Sequence, residues 1–157
     1  MFDIAKEDDM KNQKGVSAIE FAIVLPVLVL LLFGIIEFSI VYYDQAVITN
    51  ASREGARAGI VYFYDVDAEE QDRKSYALAN AEHAARRYCG NDTTSRLITF
   101  GTAVVTVNAN LEGDGDSGDN LTVAVGYHYD FLAIPNFATG LDEGGIDLRA
   151  QTVMRLE

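Results

Sequence analysis

The sequence predicts an α+β fold, and three features carry that expectation. An apolar run near the amino terminus is long enough for a membrane helix, a polar segment repeats alanine at helical spacing, and three stretches after residue 96 alternate with period two. The expected order is a long amino-terminal transmembrane helix, a second helix and then a three-stranded antiparallel sheet.

Residues 1–14, MFDIAKEDDMKNQK, form a polar leader that ends at Gly15, and Val16 is expected to open the helix. From Phe21 to Ile36 no residue is charged, and after Glu37 the apolar character resumes as FSIVYY to Tyr43. At ~1.5 Å per residue, the stretch from Phe21 to Tyr43 reaches roughly 34 Å, enough to cross a hydrocarbon core with modest tilt. A soluble helix this apolar would be hydrophobic on every face, and a chain of 157 residues has little room to bury it. Lys11 and Lys14 before the run favour a cytoplasmic amino terminus, with Arg53 and Arg57 as a counterweight beyond it. Tyr42, Tyr43 and Asp44 mark the exit from lipid. The run exceeds twenty residues without an A-x-A exit, unlike a secretory signal that is removed whole. These readings divide the chain into a cytoplasmic leader at 1–15, a transmembrane helix at 16–43 and an extracytoplasmic head at 44–157.

Three residues inside the apolar helix need separate reasons. A carboxylate at the bilayer centre costs ~2.5 kcal/mol or more, so Glu20 needs either a shallow position or a positive partner. Near the helix start it could stay hydrated beside the positive end of the helix dipole. Alternatively, a cut between Gly15 and Val16 would create an amino group one turn away. Pro26 removes a helical hydrogen bond and is expected to bend the anchor. Glu37 lies about one and a half turns before Tyr43, where it can snorkel to the outer interface or contact a neighbouring subunit.

Beyond Tyr43 the helix should continue through DQAVITNASREGARAGIVY, where Ala51, Gly55 and Gly59 recur every four residues. That small-residue face permits close approach, with internal packing favoured over an assembly surface. Arg53 and Arg57, with Glu54 nearby, read as a solvated group. A second helix is expected from Ala68 to Tyr88, with Ala77, Ala81, Ala84, Ala85 and Tyr88 on its apolar side and Gly90 and Asn91 as its stop. Strands follow at 97–111, 121–131 and 146–156, with the amino-terminal helix covering one face of their sheet. The loop EGDGDSGDN between the first two strands offers Asp114, Asp116 and Asp119 as possible calcium ligands. It fails the EF-hand pattern, because Val125 or Val123 falls where the closing glutamate belongs, and a solvated hairpin loop is the better reading.

Composition removes several function classes. Twelve basic residues against 24 acidic ones give a net charge of -12, which leaves no positive field for nucleic acid. The single cysteine, Cys89, can form neither an intrachain disulfide nor a thiolate metal cage, and a buried free thiol is expected. His83 and His128 are far apart in sequence, so no metal pair is visible, and no cofactor is implied. No nucleophile with a nearby base or phosphate-cradling loop stands out, which argues against an enzyme.

The series KGVSAIEFAIVLPVLVLLLFGIIEF, with NASREGARAG at Asn50 to Gly59, resembles the TadE/TadG-like family of pseudopilins of the tight-adherence, or Flp, pilus apparatus. The resemblance is strong over residues 14–59 and weaker in the closing IDLRAQTVMRLE. It implies a pilin-like α+β fold and cleavage after Gly15 by a membrane-embedded prepilin peptidase, leaving Val16 as the mature first residue. It assigns Glu20 to pairing with an amino-terminal group during subunit assembly. Valine at that position departs from the aromatic usual in type IV pilins, which leaves amino-terminal methylation open. The partners implied are the peptidase, other pilins or pseudopilins, the pilus assembly platform and the lipid bilayer of the bacterial cytoplasmic membrane. The leading function is therefore a minor pilin or pseudopilin acting in pilus assembly and adhesion. The alternatives are a permanently anchored extracytoplasmic binding or scaffold protein of a secretion system and, less favoured, an anchored hydrolase.

Overall fold

The computed structural model describes residues 4–61, 70–91, 94–99, 104–113, 116–132 and 145–156. Helix α1 runs from Ile4 to Ile60 and passes through Pro26 without a break. It opens before Val16, where the sequence reading had placed its start. Polar residues such as Glu, Lys and Gln are adequate helix formers, so the leader's polarity does not itself end a helix. Gly15 carries no conformational need for a break there.

The two halves of α1 have different surroundings. Every residue from Gly15 to Ile36 is exposed except Gly34, which is intermediate. From Glu37 onward one face of the helix turns into the head, burying Glu37, Asp44, Val47, Ile48, Ala51, Ser52, Gly55, Ala56 and Gly59.

Helix α2, Glu70–Cys89, packs antiparallel against this second half. Glycine makes the approach possible. A Cβ on Gly55 would lie 2.8 Å from the Ala81 carbonyl and 2.9 Å from the Ala85 methyl, and one on Gly59 would meet Ala81, the Ala77 carbonyl and Leu121. Ala77, Ala81 and Ala85 are all buried, so the small-residue face of α1 is filled from within the chain. After Cys89, Gly90 adopts a φ of 123°, a left-handed conformation that ends the helix cheaply only for glycine. The Arg96 N–H then donates to the Cys89 carbonyl at 2.9 Å.

A short ladder of β1, Gly90–Asn91, and β2, Thr94–Ser95, follows α2. Sequence reasoning did not anticipate it, because two-residue strands have no period. Three longer strands, β3 (Val105–Glu112), β4 (Asn120–Asp130) and β5 (Gly145–Arg155), form an antiparallel sheet in that order. The first strand starts later than expected, since residues 97–99 lie outside any strand.

Central β4 sets the core. Leu121, Val123, Val125, Tyr127 and Tyr129 are all buried on the face toward α1, whereas the intervening side chains face outward. Val125 sits between Val107 and Ala150, and Leu121 between Leu111 and Met154. Full burial contributes ~1.5–3 kcal/mol for each large aliphatic side chain, so this double row and α1's Val47 and Ile48 dominate the head's stability. On the same side, Ser52 and Thr152 share a hydroxyl hydrogen bond of 2.8 Å, and Gln45 Nε2 donates to the Arg149 carbonyl at 3.0 Å.

Helix α2 also covers the outer edge of β3. Arg86 donates to the Val105 and Val107 carbonyls at 3.4 Å each, Glu82 Oε1 accepts from the Ala109 N–H at 3.4 Å, and Lys74 Nζ donates to the Gly113 carbonyl at 2.7 Å. These contacts occupy backbone groups that an open edge would offer to another chain.

Candidate functional site: the anchor helix and its junction with the head

Most of the apolar segment lies on the exposed first half of α1. Its most apolar 18-residue window has a mean hydropathy of 2.9 and no buried residue. Gly15 and Val16 lie within continuous helix, and a Cβ added at Gly15 would meet nothing within 4 Å. Glu20 is exposed one turn further on, and no hydrogen bond or ion pair engages it among the described residues. Pro26 is likewise within the exposed segment.

Glu37 has a different setting. It is 2% exposed, and its Oε1 accepts the Tyr129 hydroxyl at 2.9 Å and the Leu132 N–H at 2.7 Å. Expected to snorkel or to reach a neighbouring subunit, it is instead turned into its own head. A donor on β4 and another two residues beyond its end replace the water that snorkelling would have provided. The register of the fold explains the meeting. Leu121 packs beside Gly59 and Tyr129 reaches Glu37, so β4 runs antiparallel to α1 and ends beside the anchor.

Asp44 lies two helical turns beyond Glu37 on the same face. It is fully buried; Oδ1 accepts the Ile98 N–H at 2.9 Å, while Oδ2 is buried with no partner among the described residues. Burial pushes the Asp44 carboxyl above its ordinary range, and the Ile98 amide opposes that rise. The Tyr129 hydroxyl is also pushed up, first by burial and then by its bond to Glu37 and that residue's charge. A phenol held neutral is a reliable donor to a carboxylate.

The remaining candidates are separate from this junction. Asp116 and Asp119 are bound into the β3–β4 turn: the Asp116 N–H donates to Asp119 Oδ2 at 3.0 Å and the Asp119 N–H to the Asp116 carbonyl at 3.1 Å. Asp114 lies outside the described residues. No group of three or more metal-ligating side chains is gathered among the described residues. Cys89 is a buried free thiol whose pKa burial pushes up to about 11, which makes it a poor nucleophile.

Sequence reasoning missed one polar cluster altogether. On the outward face of the sheet, His128 Nδ1 lies 2.7 Å from Asp147 Oδ1 and Nε2 lies 3.6 Å from Asp130, while Arg149 approaches Asp147 at 3.7 Å. The hydrogen bond from His128 holds the Asp147 carboxyl below its usual range. Both ring nitrogens face carboxylates, so the cluster has the form of an exposed charge network. The pairing of Tyr129 with Glu37 was missed too. Its signal was two acids seven apart on one helix and two tyrosines two apart on one strand.

Residues 15–57 match the model of the TadE-like protein family. The TadE-like segment begins at Gly15, includes the whole exposed apolar stretch, and ends two residues before Gly59. It thus takes in Glu20, Pro26, Glu37 and Asp44, together with the helical face on which the head is built. Neither the curated proteins nor the solved structures contain a match to the chain. The TadE-like family is a pilus-associated structural family and is not known for enzymatic activity. The helix that carries the matched segment is long and apolar enough to cross a membrane.

Proposed function

We propose that this chain is a minor pilin or pseudopilin of a tight-adherence pilus or a related secretion apparatus. In this reading a prepilin peptidase cuts after Gly15 and leaves Val16 as the mature amino terminus. The anchor holds the subunit in the bacterial cytoplasmic membrane, with the amino terminus inside and the head outside. The observation that carries the reading is a TadE-like segment starting at Gly15, on a helix whose first half finds no cover among the described residues.

Assembly then follows from packing. A helix exposed all round is stable in lipid, and it is equally stable among other apolar helices at close contact. Moving from one to the other exchanges apolar neighbours without exposing apolar surface to water. Glu20 is the costly residue in that exchange, and the new amino group on Val16 is a counter-charge one turn away or on an adjacent subunit. The head remains folded throughout, since its core is shared between α1 and the rest of the chain.

A second reading, a permanently anchored binding or scaffold protein, draws on the continuity of α1 through Gly15. A protease acts on extended backbone, so the helix would have to open there. Glycine eases that opening by ~1 kcal/mol relative to alanine. The deciding experiment is the amino-terminal mass of membrane-extracted protein from cells with and without the peptidase. A peptidase-dependent start at Val16 supports the pilin reading; an unchanged Met1 in both overturns it in favour of the permanent anchor.

A further inference from the structure

We infer that the head is seated in the membrane surface by a second apolar element, the adjoining ends of β4 and β5, rather than standing clear of the bilayer on α1 alone. The inference rests on the membrane-anchoring reading of α1 and locates the bilayer against the head. Direction comes first: β4 runs antiparallel to α1, from Leu121 beside Gly59 to Tyr129 beside Glu37. The end of β4, the start of β5 and the start of β3 are therefore the anchor-side rim of the sheet.

Depth comes from the Glu37 hydrogen bonds. The Leu132 N–H lies 2.7 Å from Glu37, so Leu132 sits at the level of α1 residue 37. The exposed stretch from Val16 to Ile36 spans roughly 31 Å, about one hydrocarbon thickness, which puts Glu37 at the hydrocarbon boundary. Had the span instead run on to Tyr43, Glu37 and Leu132 would lie deeper still. Either limit brings Leu132 to the bilayer.

That rim carries two kinds of group. Leu132 is 50% exposed, Ile146 40% and Val104 61%, and Ile146 pairs with Tyr129 on the α1 side. The His128, Asp130 and Asp147 network lies on the outward face beside them, where it can meet polar headgroups. Phe131 lies edge-on to Tyr129 with ring centroids 6.0 Å apart. Apolar side chains at such a boundary bury themselves about 5–10 Å into the headgroup and acyl region. On α1 itself Phe38 is exposed at the same height and Tyr42 and Tyr43 are exposed about 8 Å further toward the headgroups, so apolar and then aromatic groups line the junction. Within the junction, Tyr129 and the Leu132 amide satisfy Glu37 without water, which lets a carboxylate lie at this depth.

The chain contains no tryptophan, so single substitutions give clean fluorescent reporters. Full-length Leu132→Trp, Ile146→Trp, Leu30→Trp and Val153→Trp would each be placed in nanodiscs of phosphatidylcholine with or without bromine on the acyl chains. Leu30 lies in the anchor and Val153 at the far end of the sheet. The expected result is at least a twofold loss of emission for Leu132→Trp in brominated discs, a similar loss for Leu30→Trp and none for Val153→Trp. Ile146→Trp repeats the test if Leu132→Trp fails to fold. Quenching at Leu30 but at neither rim position overturns the inference and leaves the anchor intact. Failure to quench Leu30 as well overturns the anchor reading itself. Rim emission that shifts to the blue only with rising protein-to-lipid ratio, without bromine quenching, assigns the rim to a second copy of the chain and also overturns the inference.

Discussion

The Tyr129 hydroxyl donates to Glu37 at 2.9 Å across 92 residues of sequence, joining the last strand turn before the rim to the outer end of the anchor. Both residues are buried, so neither water nor a surface neighbour replaces the bond. Tyr129→Phe keeps the ring and deletes the donor. Hydrogen bonds to charged groups contribute about 1.5–3 kcal/mol, and the variant should lose that much stability. For a head of this size each kcal/mol lowers the melting temperature by roughly 4–8 °C. Thermal unfolding of the full chain in detergent micelles checks it, and an unchanged melting temperature would show the bond to be dispensable.

Gly59 and Gly34 make a matched pair on one helix. A methyl at Gly59 meets Ala81 at 2.9 Å, the Ala77 carbonyl at 3.0 Å and Leu121, whereas one at Gly34 meets nothing within 4 Å. Alanine gains about 1 kcal/mol of helix propensity at either site. At Gly59 overpacking costs about 1–3 kcal/mol, and the α1–α2 contact must widen to accept it. Gly59→Ala should therefore melt lower than the parent, while Gly34→Ala should melt at or above it. If both rise together, the close approach of the helices is not limiting.

Periodicity revealed most of this fold, and its failures have definite causes. The alternation from Leu121 to Phe131 predicted a one-sided strand because every second side chain enters the core. The four-residue recurrence of Ala51, Gly55 and Gly59 predicted a close helix contact because only small residues admit α2. The start of α1 was misplaced because polarity, rather than propensity, guided the boundary at Gly15. The junction was illegible for another reason. Glu37 and Tyr129 each had an ordinary local interpretation, and only the register between a helix and a strand 92 residues away brings them together. His128 and Asp147 escaped notice likewise, being cross-strand partners fixed by the β4–β5 register.

Asp44 gives the junction a pH dependence of known sign. In the unfolded chain it ionises near 3.8, whereas burial raises its pKa in the fold. Between those two values the folded state holds more protons than the unfolded one, so this residue's contribution to stability falls as pH rises. Asp44→Asn removes the charge and keeps an oxygen to accept the Ile98 N–H. The variant should gain on the parent as pH is raised from about 4 to 7. Paired melting curves across that range test this, and a constant difference between the two proteins would contradict it.

The outer edge of β3 is guarded by side chains of α2. Arg86 reaches two strand carbonyls at 3.4 Å from an exposed position, a geometry that contributes little to stability. Its value lies in occupying groups that a second chain could use. Arg86→Glu removes both donors, turns a carboxylate toward the carbonyls and adds like charge near Glu82. The melting temperature should move by the equivalent of about 1 kcal/mol or less. Light scattering of the full chain below its melting temperature should nevertheless grow several-fold faster than for the parent. Arg53→Glu, an equal charge change at an exposed position on α1, should leave the rate unchanged. Equal acceleration by both variants would make net charge the cause, whereas acceleration by Arg86→Glu alone identifies the strand edge.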